Sequence, residues 1–333
     1  MKPMMLRRFS APIMSRPRPR FHLGLSALFT GLLVIGLLGG CRSSSDASPN
    51  ADRTARTAPS LPDSALTPPD SATAARFAAA MAYGPAQADS TQSVGALMQA
   101  LGHHFRGRPY LEGTLDTGST ETLVVRLDGF DCVTFIETTL ALARGIKAND
   151  STYAGFARRM AEQRYRDGTL QGYCSRLHYF TEWLADNEQK GIVDRLDDTL
   201  GGRRLPDTLN FMSTHRSSYD RFSTNDSLYA CVQSMEDTLR AQRDADPVRY
   251  VPQDSIRAVY DQLRAGDIVG IATSIDGLDI SHTGLVYAHD DGNKGFLHAS
   301  LSDGVVVLPD LQRYIQKIDH QIGIVVARPR PVE

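Results

Sequence analysis

Phe130-Asp131-Cys132-Val133-Thr134-Phe135 puts a single cysteine where one element ends and a helix begins. Upstream, Leu123-Val124-Val125-Arg126-Leu127 is a β-type run, and Asp128-Gly129 supplies a turn. Downstream, Val133, Ile136, Leu140 and Ala143 recur at helical spacing, with Arg144-Gly145 as the stop. The spacing predicts Cys132 in the first helical turn, where free backbone N–H groups and the helix dipole favour a thiolate. A thiolate attacks carbonyl carbon. A lone cysteine is otherwise a small buried hydrophobe, so the choice rests on the rest of the chain.

The N-terminus carries an address. Lys2, Arg7, Arg8, Arg16, Arg18 and Arg20 precede an apolar run from Leu23 to Leu38, with no acidic residue before Asp46. That is the design of a secretory signal peptide over residues 1–40. It ends in Leu38-Gly39-Gly40-Cys41, which resembles a bacterial lipobox and makes Cys41 the lipidation site. The expected location is the cell envelope, as an exported, periplasm-facing lipoprotein held to the membrane by its acyl chains. Without residues 1–40 the chain keeps 30 Lys and Arg against 38 Asp and Glu, a net charge of −8. With no basic block, nucleic acid is excluded as a partner.

Residues 41–76 are rich in Ser, Thr, Ala, Pro and Asp and read as a disordered tether. Residues 77–333 remain for one domain. Its first half reads as helices: Val94, Leu97, Met98, Leu101 and Phe105 form an apolar stripe, a second pattern covers Tyr153–Tyr165, and a third opens near Ser175 and runs through Leu184. Residues 194–252 are polar and weakly periodic, an elaboration with one helix near Leu228–Arg243. The last seventy or so residues read as strands, Asp267–Thr273, Ile280–Tyr287, Gly295–Leu301, Val305–Leu308 and Ile322–Ala327, with Gly/Asp turns between them. Helices followed by an antiparallel sheet make an α+β fold. Three cysteines follow Cys41: Cys132, Cys174 and Cys231. A Cys174–Cys231 disulfide would leave Cys132 free, but spacing alone does not choose the pairing.

A cysteine nucleophile needs a base, and the base an orienting group. His282 lies in Ser281-His282-Thr283-Gly284 and His298 in Leu297-His298-Ala299-Ser300, with His289-Asp290-Asp291-Gly292-Asn293-Lys294 as the hairpin loop between. Pairing about residue 290 would set 282 opposite 298, with Cβ atoms about 4.5–5.5 Å apart on one face. One imidazole could then hold the other's tautomer. A zinc site of Cys132, His282 and His298 lacks the close ligand pairs of zinc motifs, so neither metal nor cofactor is expected.

Taken together these residues resemble the NlpC-type cysteine peptidases of the papain-like superfamily. The pattern is carried by Pro109-Tyr110-Leu111-Glu112-Gly113, Asp131-Cys132, Gly266-Asp267-Ile268-Val269, His282-Thr283-Gly284 and Leu297-His298-Ala299-Ser300, in that order. The resemblance implies a nucleophile at a helix N-terminus packed on a C-terminal antiparallel sheet. It makes Cys132 the nucleophile, His282 the general base and acid, and His298 the orienting residue. Tyr110 and Asp131 flank the nucleophile as substrate contacts.

Many members follow the cysteine with Ser-Gly, which helps recognise the free amine of an L-Ala-γ-D-Glu stem; here Val133-Thr134 stands instead. The segments Gly129–Glu137, Ser175–Phe180 and Gly277–His282 are similar to a narrower branch, long a domain of unknown function, related to N-acetylmuramoyl-L-alanine amidases that prefer anhydro-muramyl peptides. On this resemblance the scissile bond joins the muramic lactyl group to L-Ala, and the partners are peptidoglycan fragments. Arg176 would pair with a peptide carboxylate, His178 or Tyr179 would meet the sugar, and His215 sits in a second substrate loop. The same segment also reads as a helix start, with Ser175 as N-cap and Leu177 and Phe180 as core. Two alternatives stand beside the amidase: an endopeptidase of the same fold cutting the γ-D-Glu–diamino-acid bond, and a non-catalytic wall-binding lipoprotein.

Overall fold

The computed structural model describes residues 61, 66–87, 92–206 and 208–332. The signal segment 1–40, Cys41 and most of the tether lie outside them. The first helix, α1 (Ser71–Gln87), begins inside the stretch read as tether, with the Asp70 carboxylate accepting the Thr73 N–H at 2.6 Å. The ordered chain therefore starts before residue 77. The apolar stripe becomes α2 (Val94–His104), whose N-cap Ser93 accepts the Ala96 N–H at 3.1 Å. Next come α3 (Cys132–Lys147) and α4 (Tyr153–Arg164). α3 runs through Arg144-Gly145; Gly145 is buried, and a Cβ there would stand a tight 3.1 Å from the Asp150 carbonyl oxygen.

Two further expectations change. Leu123–Leu127 forms no strand; side chains take carbonyls in and beside it, Arg164 donating to Val124 at 2.5 Å and the Tyr165 hydroxyl to Thr122 at 3.2 Å. The helix expected from Ser175 starts at Phe180 as α5 (Phe180–Gln189). Its cap comes from elsewhere in the chain: Asp279 accepts the Thr181 N–H at 3.1 Å and the Thr181 hydroxyl at 2.6 Å. Ser175 instead closes a turn, accepting the Gln171 N–H and donating to the Gly172 carbonyl.

The C-terminal strands fall on the β-rich runs between the Gly/Asp turns: β4 (Ile268–Thr273), β5 (Ile280–Ala288), β6 (Lys294–Ser300), β7 (Gly304–Leu308) and β8 (Gln321–Pro329). β4 to β7 are a meander, but β8 returns to pair with β4. Residues 194–252 contribute to the sheet and are more than a covering. β1 (Val193–Arg195) and β3 (Arg249–Pro252) both pair with β8, and β2 (Arg203–Arg204) pairs with β3. The result is an eight-stranded antiparallel sheet with helices, an α+β fold.

Both faces of the sheet are covered, and all six residues of β4 are buried. Phe135, Leu140, Leu285 and Leu297 belong to the core that includes α1–α4, while Val269, Val286, Phe296 and Ile324 pack with α10 (Leu311–Ile315) on the other side. Gly266 and Asp267, the pair that opens β4, serve this packing. Gly266 has φ 71°, and a Cβ there would meet the Gly95 carbonyl at 1.9 Å. Asp267 takes a bidentate contact from Arg328 of β8 at 2.9 and 2.7 Å.

α6 (Asp197–Leu200) lies just before β2, and between β2 and β3 the chain forms α7 (Phe211–Thr214), α8 (Asp220–Ser223) and α9 (Asp226–Ala245). Leu209, Met212, Phe222, Val232, Met235 and Leu239 share a third core with Tyr173 and Tyr179. A Cys174–Cys231 disulfide ties that core to the segment before α5, and Cys132 is free.

Candidate active site

Three contacts deliver Cys132 to its place. Phe130 donates its N–H to Pro109 O at 3.1 Å and accepts the Leu111 N–H at 3.0 Å, so Tyr110 runs beside the residue two before the cysteine. Gly129 permits the approach, since a Cβ there would stand 2.6 Å from the Pro109 carbonyl oxygen. Asp131 then starts α3 with a capping box: its carboxylate accepts the Thr134 N–H at 2.7 Å, and Thr134 Oγ1 accepts the Asp131 N–H at 3.0 Å. Asp131, expected at the substrate, is spent on the helix cap. Thr134, where other sequences have glycine, completes that cap. Thr283 Oγ1 donates to the Cys132 carbonyl at 2.9 Å and fastens β5 to the same helix start. The Tyr110 phenol sits close to the Cys132 side chain.

The two histidines meet, but in a different register. β5 and β6 pair Leu285 with Leu297 and Val286 with Phe296, which centres the hairpin on residue 291 and sets Gly284 opposite His298. His282 is thus the diagonal neighbour of His298. A shift of that size keeps both on one face. His282 Nε2 and His298 Nδ1 are 2.7 Å apart, with the rings perpendicular. Gly284 makes the space: a Cβ there would lie 2.4 Å from Phe296 Cε2 and 2.8 Å from His298 Cβ. Phe296 stacks on His298 with ring centroids 4.7 Å apart.

Electrostatics revise the expectation of a resting thiolate. Burial pushes the Cys132 thiol up to about 11 from 9.0, and the Asp131 carboxylate adds to it. That disfavours the thiolate by about 3 kcal/mol, against about 0.3–1 kcal/mol from a helix N-terminus. Desolvation wins. Burial also holds His282 down at about 4 and, with the neighbouring His282, His298 at about 3. At neutral pH the thiol and both imidazoles are uncharged, and the Cys132 proton must leave during attack rather than before it.

Cys132, Val133, Leu177, His178, Trp183, Leu278 and His282 line a cavity of about 100 Å³. A dry cavity of about 150 Å³ accepts a benzene, so this one takes a small alkyl or acyl group and leaves the rest of a large substrate outside. A cleft of about 810 Å³ between residues 66–76 and 121–128 is larger but touches none of the candidate residues. Size does not mark the site here.

The other expected contacts separate. His178 lines the cavity, its Nε2 on the Tyr173 carbonyl at 2.9 Å, and burial with nearby Arg176 keeps it neutral. Arg176 is 5 % exposed and bonded to Leu115 O at 2.8 Å and Asp116 Oδ1 at 2.5 Å, with Glu121 at 3.6 Å. Its charge is already matched. Tyr179 is buried, donating to Glu236 at 2.7 Å and accepting the Met212 N–H at 3.2 Å, which pins the third core. His215 is exposed and stacks on Phe211, in a loop whose Phe211 N–H donates to Gly277 O at 3.0 Å, one residue from Leu278 of the cavity. Two residues of the site were missed. Thr283 stands next to His282 in His282-Thr283-Gly284, a β-branched hydroxyl on the strand of the expected base. Asp279, which lines the cavity and binds Thr181 and Arg243, depends on partners distant in sequence.

A family described as N-acetylmuramoyl-L-alanine amidase-like (AmiA-like) matches residues 100–324. Among solved structures, an N-acetylmuramoyl-L-alanine amidase from Bacteroides uniformis is similar at 28% identity and TM-score 0.65, covering 71% of this chain and 99% of its own. A Bacteroides fragilis protein with a provisional xylanase designation is similar at 31% identity and TM-score 0.61, covering 68% of this chain and 98% of its own. A Legionella pneumophila protein shares the fold at 19% identity and TM-score 0.58, covering 78% of this chain and 95% of its own. No curated protein matches the chain.

Proposed function

The chain belongs to the N-acetylmuramoyl-L-alanine amidase-like family, and from that premise we propose that it is a papain-like cysteine amidase of the cell envelope. Its substrate is the amide between the muramic lactyl group and L-Ala in peptidoglycan fragments, in the anhydro-muramoyl form. The observation that carries this reading is the free Cys132 at the start of α3, sharing one cavity wall with His282, which is itself bonded to His298.

In the proposed reaction Cys132 Sγ attacks the lactyl carbonyl carbon as His282 takes the thiol proton. The Cys132 N–H and the Tyr110 hydroxyl stand beside the sulfur as donors for the developing oxyanion. The C–N bond then breaks, the proton passes from His282 to the leaving amine of L-Ala, and a thioester remains. Water, deprotonated by His282, hydrolyses the thioester to a muramic carboxylic acid and returns the proton to the thiol. The Leu38-Gly39-Gly40-Cys41 segment supports export and a lipid anchor at Cys41.

Mass analysis of products from anhydro-muramyl tripeptide tests the assignment. Free tripeptide supports the amidase; a muramyl dipeptide would instead mean cleavage after γ-D-Glu, and no cleavage would favour a wall-binding role.

A further inference from the structure

The hydrogen bond between the histidines constrains where their protons lie. For His282 to take the Cys132 proton, the nitrogen it turns to the thiol must be bare, so its own proton sits on Nε2, 2.7 Å from His298 Nδ1. His298 Nδ1 is then the acceptor, and the His298 proton sits on Nε2. That nitrogen is buried without a hydrogen-bond partner, in a side chain 2 % exposed. A buried N–H left unmatched is costly, so the other tautomer competes. In it His298 donates to His282, the His282 proton moves to the nitrogen facing Cys132, and the base is lost.

Tyr314 of α10 lies against His298, ring centroids 5.1 Å apart. Its hydroxyl approaches the side chain of Gln321, the first residue of β8, which is 4 % exposed. Gln321 Oε1 is a buried acceptor without a partner. The other such oxygens among the described residues belong to Glu121, Glu182, Asp186 and Asn187, none of them on the strands. An unmatched donor and an unmatched acceptor therefore flank one tyrosine ring.

We propose that Gln321, seated beside Tyr314, is the positioning residue that receives the Nε2–H of His298 through one bridging water, and so fixes the tautomer of the Cys132–His282–His298 relay. The inference rests on the reading of His282 as the base. It extends the relay by two side chains from β8 and α10 that no motif around the cysteine or the histidines contains.

Long-range proton–nitrogen NMR of the ¹⁵N-labelled protein reads the tautomer without substrate. The wild type is expected to carry the His298 proton on Nε2. Gln321→Leu should populate the Nδ1–H form and lower kcat about tenfold or more with KM unchanged. Gln321→Glu, which keeps an acceptor oxygen, should hold the Nε2–H form and recover turnover relative to the leucine variant. Tyr314→Phe removes only the neighbouring hydroxyl and should shift the tautomer the same way, which serves if Gln321→Leu does not fold. A wild-type Nδ1–H form, or variants that leave both tautomer and kcat unchanged, overturns the proposal. An Nε2–H wild type that cleaves no muramoyl peptide would support the tautomer assignment while sinking the amidase reading.

Discussion

Lowering the pH from 7 to about 4.5 protonates in the unfolded chain two imidazoles that the fold keeps neutral. Burial holds His282 at about 4 and His298 at about 3, against 6.5 for a free side chain. Below 6.5 the unfolded chain binds these protons more readily than the native one. The stability due to the neutral pair is whole above 6.5, declines as pH falls, and is exhausted below about 4 for His282 and about 3 for His298. Two pH units below the ordinary value, each imidazole accounts for about 3 kcal/mol at most, and the bonded pair together for about 5 kcal/mol. A domain's whole stability is about 5–15 kcal/mol. Urea denaturation at the two pH values measures the loss. A His282→Gln, His298→Gln double variant provides the reference, because the remaining carboxylates respond alike in both proteins. The wild type should lose about 5 kcal/mol more than the double variant. Equal losses would refute the reasoning and show that the imidazoles titrate as if solvated.

Iodoacetamide alkylation of Cys132 should accelerate about tenfold per pH unit from neutral toward alkaline pH, because the thiol titrates at about 11; a rate already at plateau near pH 6 would mean a resting thiolate–imidazolium pair. Gly284→Ala sets a Cβ 2.8 Å from His298 Cβ and should cost about 1–3 kcal/mol in stability together with a fall in kcat; unchanged melting and turnover would contradict the packing account. Arg176→Ala strips the partner from buried Glu121 and should destabilise by about 3 kcal/mol, at the low end for a broken buried pair because Arg221 also approaches that carboxylate. A raised KM at unchanged melting temperature would instead make Arg176 a substrate ligand.

Where the sequence was legible, local signals agreed with the fold. The β-rich composition of Ile280–Tyr287 and Gly295–Leu301 marks two strands almost to the residue, and the turn before Asp131 marks the helix start. The histidine pair was found despite a hairpin centred one residue away from the expected 290, since moving the centre by one shifts the partner by two and preserves the face. Leu123–Leu127 has strand composition but finds Arg164 and Tyr165 instead of a neighbouring strand, a tertiary outcome that local preference does not carry. Arg176 and Tyr179 looked like ligands because their types suit ligands. Their partners Asp116, Glu121 and Glu236 are remote in sequence, and only the folded chain matches them. The state of Cys132 was misjudged for a similar reason: the helix terminus is visible in sequence, whereas the larger burial term is not.

In the proposed reaction Cys132 forms the covalent link to substrate. Intact-protein mass spectrometry of the full chain, acid-quenched during turnover of an anhydro-muramyl peptide, tests it most directly. The account predicts a muramoyl adduct on Cys132 in the wild type, and in Cys132→Ala neither adduct nor product, at an unchanged circular dichroism spectrum. Turnover retained by Cys132→Ala would contradict it.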